Sequence, residues 1–143
     1  MTITFTIPLR TRNHSNEREH WATRARRSSR ERTLVAAYWT FEARNRRLGD
    51  GETACVTLTR IAPRKLDEHD GLRSALKSVA DEIATCLGFD KRDNDPRLTW
   101  SYAQERGKPN EYAVRVSIEI TSPAQDFEAM TKELTFPGTG GAK

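Results

Sequence analysis

Residues 64–100 read RKLDEHDGLRSALKSVADEIATCLGFDKRDNDPRLTW, an apolar helical pattern between two acidic clusters. Apolar side chains recur at helical spacing from Leu72 to Leu87, which predicts one helix of roughly 16 residues with a buried face. Asp70 stands at the N-cap position, and Gly88 stands where the helix should stop. For both acidic clusters to share one site, the strand that follows the second cluster must fold back beside the start of this helix.

The acidic side chains lie before and after the helix: Asp67, Glu68 and Asp70, then Asp90, Asp93 and Asp95. Carboxylates without metal-type His or Cys spacing suit hard divalent cations, Mg²⁺ or Mn²⁺. Such a cation can activate water and stabilise the leaving group of a phosphodiester. The plainer alternative is a capped helix followed by a solvated turn, and spacing alone favours that alternative.

Length and composition predict one globular domain. The chain has 143 residues, of which 36% are hydrophobic and 31% are charged. No apolar run approaches the ~20 residues of a membrane span, and we see no signal peptide. Cys55 and Cys86 show no C-x-x-C spacing and are predicted to be buried thiols, which favours a cytoplasmic protein. A Ser-His-Asp arrangement, a Gly-rich phosphate loop and a nucleotide fingerprint are not recognisable.

The positive charge is concentrated in one segment. Residues 10–47 contain eleven arginines, no lysine and four glutamates, a net charge of +7 that leaves −3 for the rest of a +4 chain. A basic arm beside an acidic centre suits an enzyme that acts on a polyanion. Arginine rather than lysine favours phosphate recognition, because guanidinium binds phosphate in a bidentate manner. The alternative is a solvated helix face.

Alternating apolar residues predict four strands: Thr2–Pro8, Thr53–Ile61, one beginning at Leu98, and Tyr112–Ile120. A long helix is predicted from about Glu17 to Arg47, with a candidate break at Ser28–Ser29. The order β-α-β-α-β-β indicates an α+β domain with a mixed sheet of about four strands and two main helices. Residues 105–110 read as a hairpin-like connection between the last two strands. Residues 1–121 form the domain, and 122–143 are predicted to be a largely disordered extension with a short helix at 126–134.

The long helix contains Trp21 near its start and an apolar segment with three aromatic residues in its second half. Trp21 is predicted to be a core residue, with stacking on a nucleic-acid base as the alternative. Residues 34–41, LVAAYWTF, are apolar around most of the helix. This part of the helix is therefore either deeply buried or part of a dimer interface.

The order of these motifs resembles the RusA family of Holliday-junction resolvases. The shared pattern is a carboxylate cluster opening a helix, a lysine within that helix, and an Asp-rich turn leading into a strand. The likeness extends to SNEREHWATRARR at 15–27 and DNDPRLTWSYAQERGKPNEYAVRV at 93–116, and covers most of residues 3–120. It implies a RusA-like fold, a homodimer and a Mg²⁺-dependent endonuclease that resolves four-way DNA junctions. Such enzymes serve recombination and repair, are often phage-encoded, and would associate with the nucleoid when bound to DNA.

The resemblance can be carried to individual positions. The family signature Asp-x-Asp-Asn matches residues 68–71, so Asp70 corresponds to the second Asp, and Glu68 to the first, or Asp67 if one residue is inserted. Gly71 replaces the Asn. The later catalytic Asp resembles Asp93, with Asp95 as the second choice. Lys77 best matches the helix lysine and would face the scissile phosphate, and its alternative role is an i,i+4 pair with Asp81.

The basic arm supplies the predicted DNA contacts. By resemblance, Asn13, Asn16 and Arg18 lie near the DNA, and the arm and central helix add Arg24, Arg26, Arg27 and Arg73. Two rival functions follow from the same residues. Because Glu68 and Gly71 depart from the signature, the protein could bind DNA without cutting it. Alternatively, the arginine face could bind an acidic protein.

Overall fold

The computed structural model describes residues 1–12, 21–67, 71–90 and 92–123. Along the chain these residues form β1 (Thr2–Ile7), α1 (Trp21–Glu42), β2 (Thr53–Ala62), α2 (Gly71–Ala75), α3 (Lys77–Leu87), β3 (Leu98–Arg106) and β4 (Ala113–Thr121). The predicted α+β class and the mixed four-stranded sheet are confirmed. In these described ranges, every helix is too short or too polar to cross a membrane.

The strand order of the sheet is β1-β4-β2-β3. β4 pairs antiparallel with both β1 and β2, and β3 pairs parallel with β2 on its other side. The predicted hairpin-like connection between the last two strands is therefore wrong, because β2 lies between β3 and β4. The helical crossover after β2 brings β3 back in parallel to one edge of β2, which leaves the other edge for β4. The turn crosses the end of β2, where the Gly107 amide donates to the Ala62 carbonyl at 2.8 Å.

One face of the sheet is buried under the helices, and the other is open. Strand alternation places Ile3, Phe5 and Ile7 in the core, while the intervening threonines of β1 are exposed. The open face is rich in hydroxyl side chains. Cys55 lies on it and is exposed, so the prediction that this thiol is buried is wrong. Cys86 is half-buried, and burial, together with the nearby Glu82 carboxylate, raises the pKa of its thiol to about 12; both cysteines are free.

The predicted long helix is shorter than its pattern indicates. α1 runs without a break through Ser28–Ser29 and ends at Glu42, so both the candidate break and the predicted end at Arg47 are wrong. Arg44 and Asn45 adopt positive φ angles of 53° and 58°, which end the helix. Asn tolerates this left-handed conformation better than most residues, and its side chain receives a 3.1 Å hydrogen bond from Thr40 Oγ1. The predicted start near Glu17 lies outside the described residues.

The predicted core position of Trp21 and the deep burial considered for residues 34–41 are both wrong, whereas the alternative for residues 34–41, a dimer interface, stays a prediction. Trp21 is 75% exposed, so it is not a core residue. In the apolar segment 34–41, only Val35 and Trp39 are fully buried, and Phe41 is 80% exposed. Only one narrow face of α1 packs on the sheet, because residues one helical turn apart, such as Val35 and Trp39, lie on the same side of the helix.

The predicted central helix is divided in two. Leu76 has φ −98° and ψ 4°, and it separates α2 from α3. The predicted apolar stripe is nevertheless confirmed, since all five of its side chains are buried: Leu72, Leu76, Val79, Ile83 and Leu87. Gly88 ends α3 as predicted, with φ 112°, a conformation that favours glycine. The predicted N-cap, Asp70, lies outside the described residues, as do residues 124–143 with the helix predicted at 126–134.

Candidate active site

Strand β3 anchors two segments on one face of the sheet. One is the chain just before the first acidic cluster, and the other is the turn that contains the second cluster. The Trp100 indole donates a hydrogen bond to the Asp93 carbonyl. Gln104 follows Trp100 by four residues in β3. Its side chain accepts a hydrogen bond from the Leu66 amide at 2.8 Å and donates one to the Leu66 carbonyl at 2.9 Å. Because side chains two and four residues apart share a face, these anchors lie about 13 Å apart along the strand. The chain after the second cluster does fold back beside the start of the helical segment.

Lys77, the first residue of α3, lies between two carboxylates. Its ammonium is 2.9 Å from Asp93 Oδ2 and 3.1 Å from Asp81 Oδ1. Burial alone would lower the pKa of Lys77, but the hydrogen bonds to Asp93 and Asp81 outweigh it and raise the pKa above 10.5. Lys77 is therefore a cation at neutral pH. The i,i+4 pair with Asp81 is present, and the same ammonium also contacts the second acidic cluster.

The structure separates the roles of Asp93 and Asp95. Asp95 Oδ1 accepts hydrogen bonds from the Arg97 amide at 3.0 Å and from Arg97 Nε at 3.2 Å, and Oδ2 lies 3.4 Å from Nη2. These side-chain and backbone hydrogen bonds lower the pKa of Asp95. Arg97 is itself fixed over the Phe89 ring at 4.4 Å. Asp95 thus stabilises its own turn, whereas Asp93 forms an ion pair with Lys77.

A cationic groove runs beside Lys77, between α1 and the α2–α3 segment. Its volume is about 380 Å³, and we call it the inner groove; its lining residues are Arg24, Ser28, Arg32, Arg73, Ser74, Lys77, Ser78 and Asp81. Arg73 lies 5.3 Å above the Tyr102 ring, and Arg32 Nη2 is 3.7 Å from Asp81 Oδ2. Four cations and three hydroxyls against one carboxylate are suited to a phosphate group.

The predicted DNA contacts divide between the two sides of α1. Arg24 and Arg73 line the inner groove, whereas Arg27 and Arg26 line surfaces on the other side of the helix. Three further predicted contacts lie outside the described residues: Asn13, Asn16 and Arg18.

The predicted metal ligands are only partly described. Asp67 is exposed, and its carbonyl accepts from the Leu72 amide at 2.8 Å. Glu68 and Asp70 lie outside the described residues. In the part of the chain that the structure does describe, no three His, Cys, Asp or Glu side chains come together as a metal-binding group. The metal site therefore stays a prediction, in which Asp93 is the described member that lies beside Lys77.

Sequence reasoning missed Asp81 as a member of this site. Only 13% of its side chain is exposed, and its two oxygens contact Lys77 and Arg32. Asp81 therefore connects α3 to α1 beneath the inner groove. The only sequence signal was the four-residue spacing from Lys77, which is also common on solvated helices.

Glu31 is a second acidic residue whose burial could not be predicted from the sequence. It is 3% exposed, and neither carboxylate oxygen has a hydrogen-bond partner within the described residues. Desolvation raises the pKa of Glu31, against smaller opposite effects of the nearby Ser78 hydroxyl and of Arg27 and Arg30. A buried carboxylate without aligned donors destabilises the fold when it is charged.

Replacing Glu31 with Gln should change how stability depends on pH. The folded pKa lies above the unfolded value of about 4.5, so wild-type stability falls as the pH rises from 4.5 through the folded pKa. We expect E31Q to be more stable than wild type by about 1 kcal/mol at pH 8, with a smaller difference at pH 4. Urea unfolding at pH 4, 6 and 8 measures this, with E42Q, a change at an exposed glutamate of the same helix, as the control. A difference that does not vary with pH would contradict the assignment.

No protein-family model matches this chain, and no curated protein matches it. The resemblance to the RusA family therefore stays a prediction from short motifs.

Proposed function

We propose that this protein is a metal-dependent endonuclease that cuts branched DNA and resolves four-way junctions. The observation that carries the proposal is the position of Lys77, held between Asp93 and Asp81 on the wall of a groove that is otherwise arginine-lined. A phosphodiester backbone in the inner groove would meet cations along its length and reach an acidic cluster at one point. That combination suits hydrolysis of a phosphodiester better than simple attraction to an anion.

The described residues have distinct proposed roles. Arg24, Arg32 and Arg73 bind and orient the backbone phosphates, and Lys77 stabilises charge that develops on the scissile phosphate. The carboxylate of Asp93 has the donor chemistry of a Mg²⁺ or Mn²⁺ ligand, and by resemblance Asp70 and Glu68 would complete the set, with Asp67 as the alternative to Glu68. When bound, the cation supplies Lewis-acid activation of water and of the phosphate. Asp81 positions Lys77.

We further propose that the protein acts as a homodimer in recombination and repair, as a phage-type enzyme. A four-way junction has two-fold symmetry, and paired nicks require two active sites. The exposed ring of Phe41, with half-buried Leu34 and Tyr38 at helical spacing beside it, favours α1 over a sheet edge as the contact between copies. Exposed apolar side chains on one helix face are typical of protein contacts.

A non-catalytic DNA-binding protein is the second candidate function. The observation that favours it is that the Lys77 ammonium forms ion pairs with both Asp93 and Asp81, so these carboxylates already have a protein cation as a partner. The departures at Glu68 and Gly71 from the resolvase signature point the same way. This candidate retains the inner groove as its binding site and predicts no cleavage.

Cleavage of a labelled four-way junction in Mg²⁺, Mn²⁺ or EDTA distinguishes the two candidates. The endonuclease proposal expects paired, symmetric nicks that disappear in EDTA and with D70N, and little cutting of a linear duplex of the same sequence. Tight junction binding without nicks in either metal would support the binding protein. DNA affinity that does not weaken as salt is raised would contradict both and favour an acidic protein partner.

A further inference from the structure

We propose that α1 carries a second DNA-binding surface on the side opposite the inner groove, which binds the backbone of another segment of the same branched DNA. This outer surface encloses about 290 Å³ and is lined by Arg10, Arg12, Thr23, Arg27 and Arg30. The proposal rests on the proposed function only in taking branched DNA as the partner. It adds that one copy of the protein holds two backbone segments at once.

The helical repeat of α1 separates the two surfaces. Arg24, Ser28 and Arg32 follow one another at four-residue steps and line the inner groove. Thr23, Arg27 and Arg30 follow at steps of four and three and line the outer surface. With 3.6 residues per turn the two sets point in directions about 130° apart, so phosphates bound to them lie up to about 10–12 Å apart, the width of a helix with its side chains. Two backbone segments fit this arrangement better than two contacts to one phosphate.

The outer surface is held in place from beneath. Arg60 of β2 is 7% exposed, and its Nε donates to Thr11 Oγ1 at 3.1 Å while Nη1 donates to the Arg64 carbonyl at 2.7 Å. Thr11 itself is 4% exposed, so Arg10 and Arg12 flank a buried, anchored residue. Arg10 lies 4.5 Å above the Tyr112 ring. Such a surface is pre-organised, which lowers the entropy cost of binding.

Three of the four arginines that line the outer surface have no carboxylate ion-pair partner among the described residues. Elsewhere arginines pair with carboxylates, as in Arg46 with Glu52 at 2.8 Å and in Arg115 with Glu105. Across residues 1–12, 21–67, 71–90 and 92–123, no such ion pair is formed by three arginines of this surface: Arg10, Arg12 and Arg30. The adjacent Glu31 is buried and does not line the surface, although its carboxylate interacts electrostatically with Arg27 and Arg30. Clustered like charges are unfavourable unless an anion binds to them.

The lining favours nucleic acid over an acidic protein. Protein interfaces have an apolar or aromatic centre surrounded by polar residues. Among the described residues, the lining of the outer surface is four arginines and one threonine, with no apolar side chain. Arginines and hydroxyls are the groups that contact phosphate oxygens, and they do so without reading the base sequence. We therefore assign the outer surface to a DNA backbone.

Neutralising Arg12 and Arg30 tests this surface without touching the inner groove. We would compare R12Q/R30Q with R44Q/R47Q, which also removes two exposed arginine charges but lies beyond the other end of α1. Binding to a labelled four-way junction and to a linear duplex of one arm is measured over a salt series in EDTA. For the junction, R12Q/R30Q should reduce the slope of log K against log salt by about 2 and weaken binding about tenfold at low salt.

The linear duplex should lose much less, because it can occupy the inner groove alone, and R44Q/R47Q should match wild type on both substrates. A wild-type slope for R12Q/R30Q on the junction would overturn the proposal. Equal losses for junction and duplex would overturn the assignment to a second segment. Because binding is measured in EDTA, a failure to cut DNA would contradict the endonuclease proposal and leave this result unaffected.

Discussion

Replacing Asp93 with Asn should lower junction cleavage about a thousandfold, whereas the same change at Asp95 should lower it less than about threefold. The two residues are close in sequence and were alternatives for one role. Their surroundings differ, because the Asp93 carboxylate contacts the Lys77 ammonium at 2.9 Å while both Asp95 oxygens contact Arg97. Of these two residues, Asp93 is therefore the one that, under the proposed function, would hold a cation beside the phosphate bound at Lys77.

The size of the difference follows from charge rather than shape. Asparagine has nearly the same volume as aspartate but supplies only one neutral acceptor oxygen. At position 93 this change removes the negative charge that pairs with Lys77 and that the proposed cation would need. At position 95 it removes a hydrogen-bonded pair with Arg97 in an exposed turn, where ion pairs contribute little.

Single-turnover cleavage with saturating protein in Mg²⁺ separates these effects from binding. Junction affinity in EDTA is the control, and we expect both variants to bind at least as tightly as wild type because each removes a negative charge beside a polyanion. Equal loss of cleavage in D93N and D95N would show that the whole turn, and not Asp93 itself, is required. Full activity in D93N would remove Asp93 from the site.

The core-facing residues could be predicted from the sequence because burial imposes a period. The stripe from Leu72 to Leu87 and the alternation of Ile3, Phe5 and Ile7 each identify a buried face within one element. The Gly88 stop could be predicted for a similar local reason, since a left-handed residue strongly favours glycine. Neither inference requires any knowledge of which element packs against which.

The errors concern relations between elements. The position of β2 between β3 and β4 depends on the helical crossover, which the strand pattern does not encode. Trp21 was assigned to the core because tryptophan is more often a core residue, but α1 covers the sheet mainly through Val35 and Trp39 in its second half. The separation of α2 from α3 at Leu76 leaves every apolar residue of the stripe buried, so the apolar period could not reveal it.

The candidate site was predictable only in part. Lys77 and Asp93 were chosen by resemblance, and the structure brings them into contact. Asp81 and Glu31 were missed because their burial arises where α1 packs across α3, a contact between residues about 50 positions apart in sequence. The separation of the arginines into inner groove and outer surface depends on the same packing. Charge counting could locate the basic arm but could not divide it.

Replacing Trp39 with Ala should destabilise the fold by about 4 kcal/mol, the largest stability effect that we expect in α1. Trp39 is 2% exposed, packs edge-to-face on Phe5 with ring centroids 6.1 Å apart, and donates from its indole to the Arg46 carbonyl at 3.1 Å. Alanine would leave a cavity and remove the donor that fixes the chain after α1. Domains of this size have a free energy of unfolding of about 5–15 kcal/mol, so this substitution would remove much of the stability.

Urea unfolding of W39A, W39F and F41A at several protein concentrations tests this role. W39F keeps an aromatic ring but loses the hydrogen bond to Arg46, and we expect it to cost about 1–2 kcal/mol, a readout that survives if W39A does not fold. F41A truncates an aromatic side chain that is 80% exposed on the same helix, and should cost under about 0.5 kcal/mol in dilute protein. An effect of F41A that grows with protein concentration would identify Phe41 as a contact between copies. A loss in F41A as large as in W39A at every concentration would contradict the packing of α1 described above.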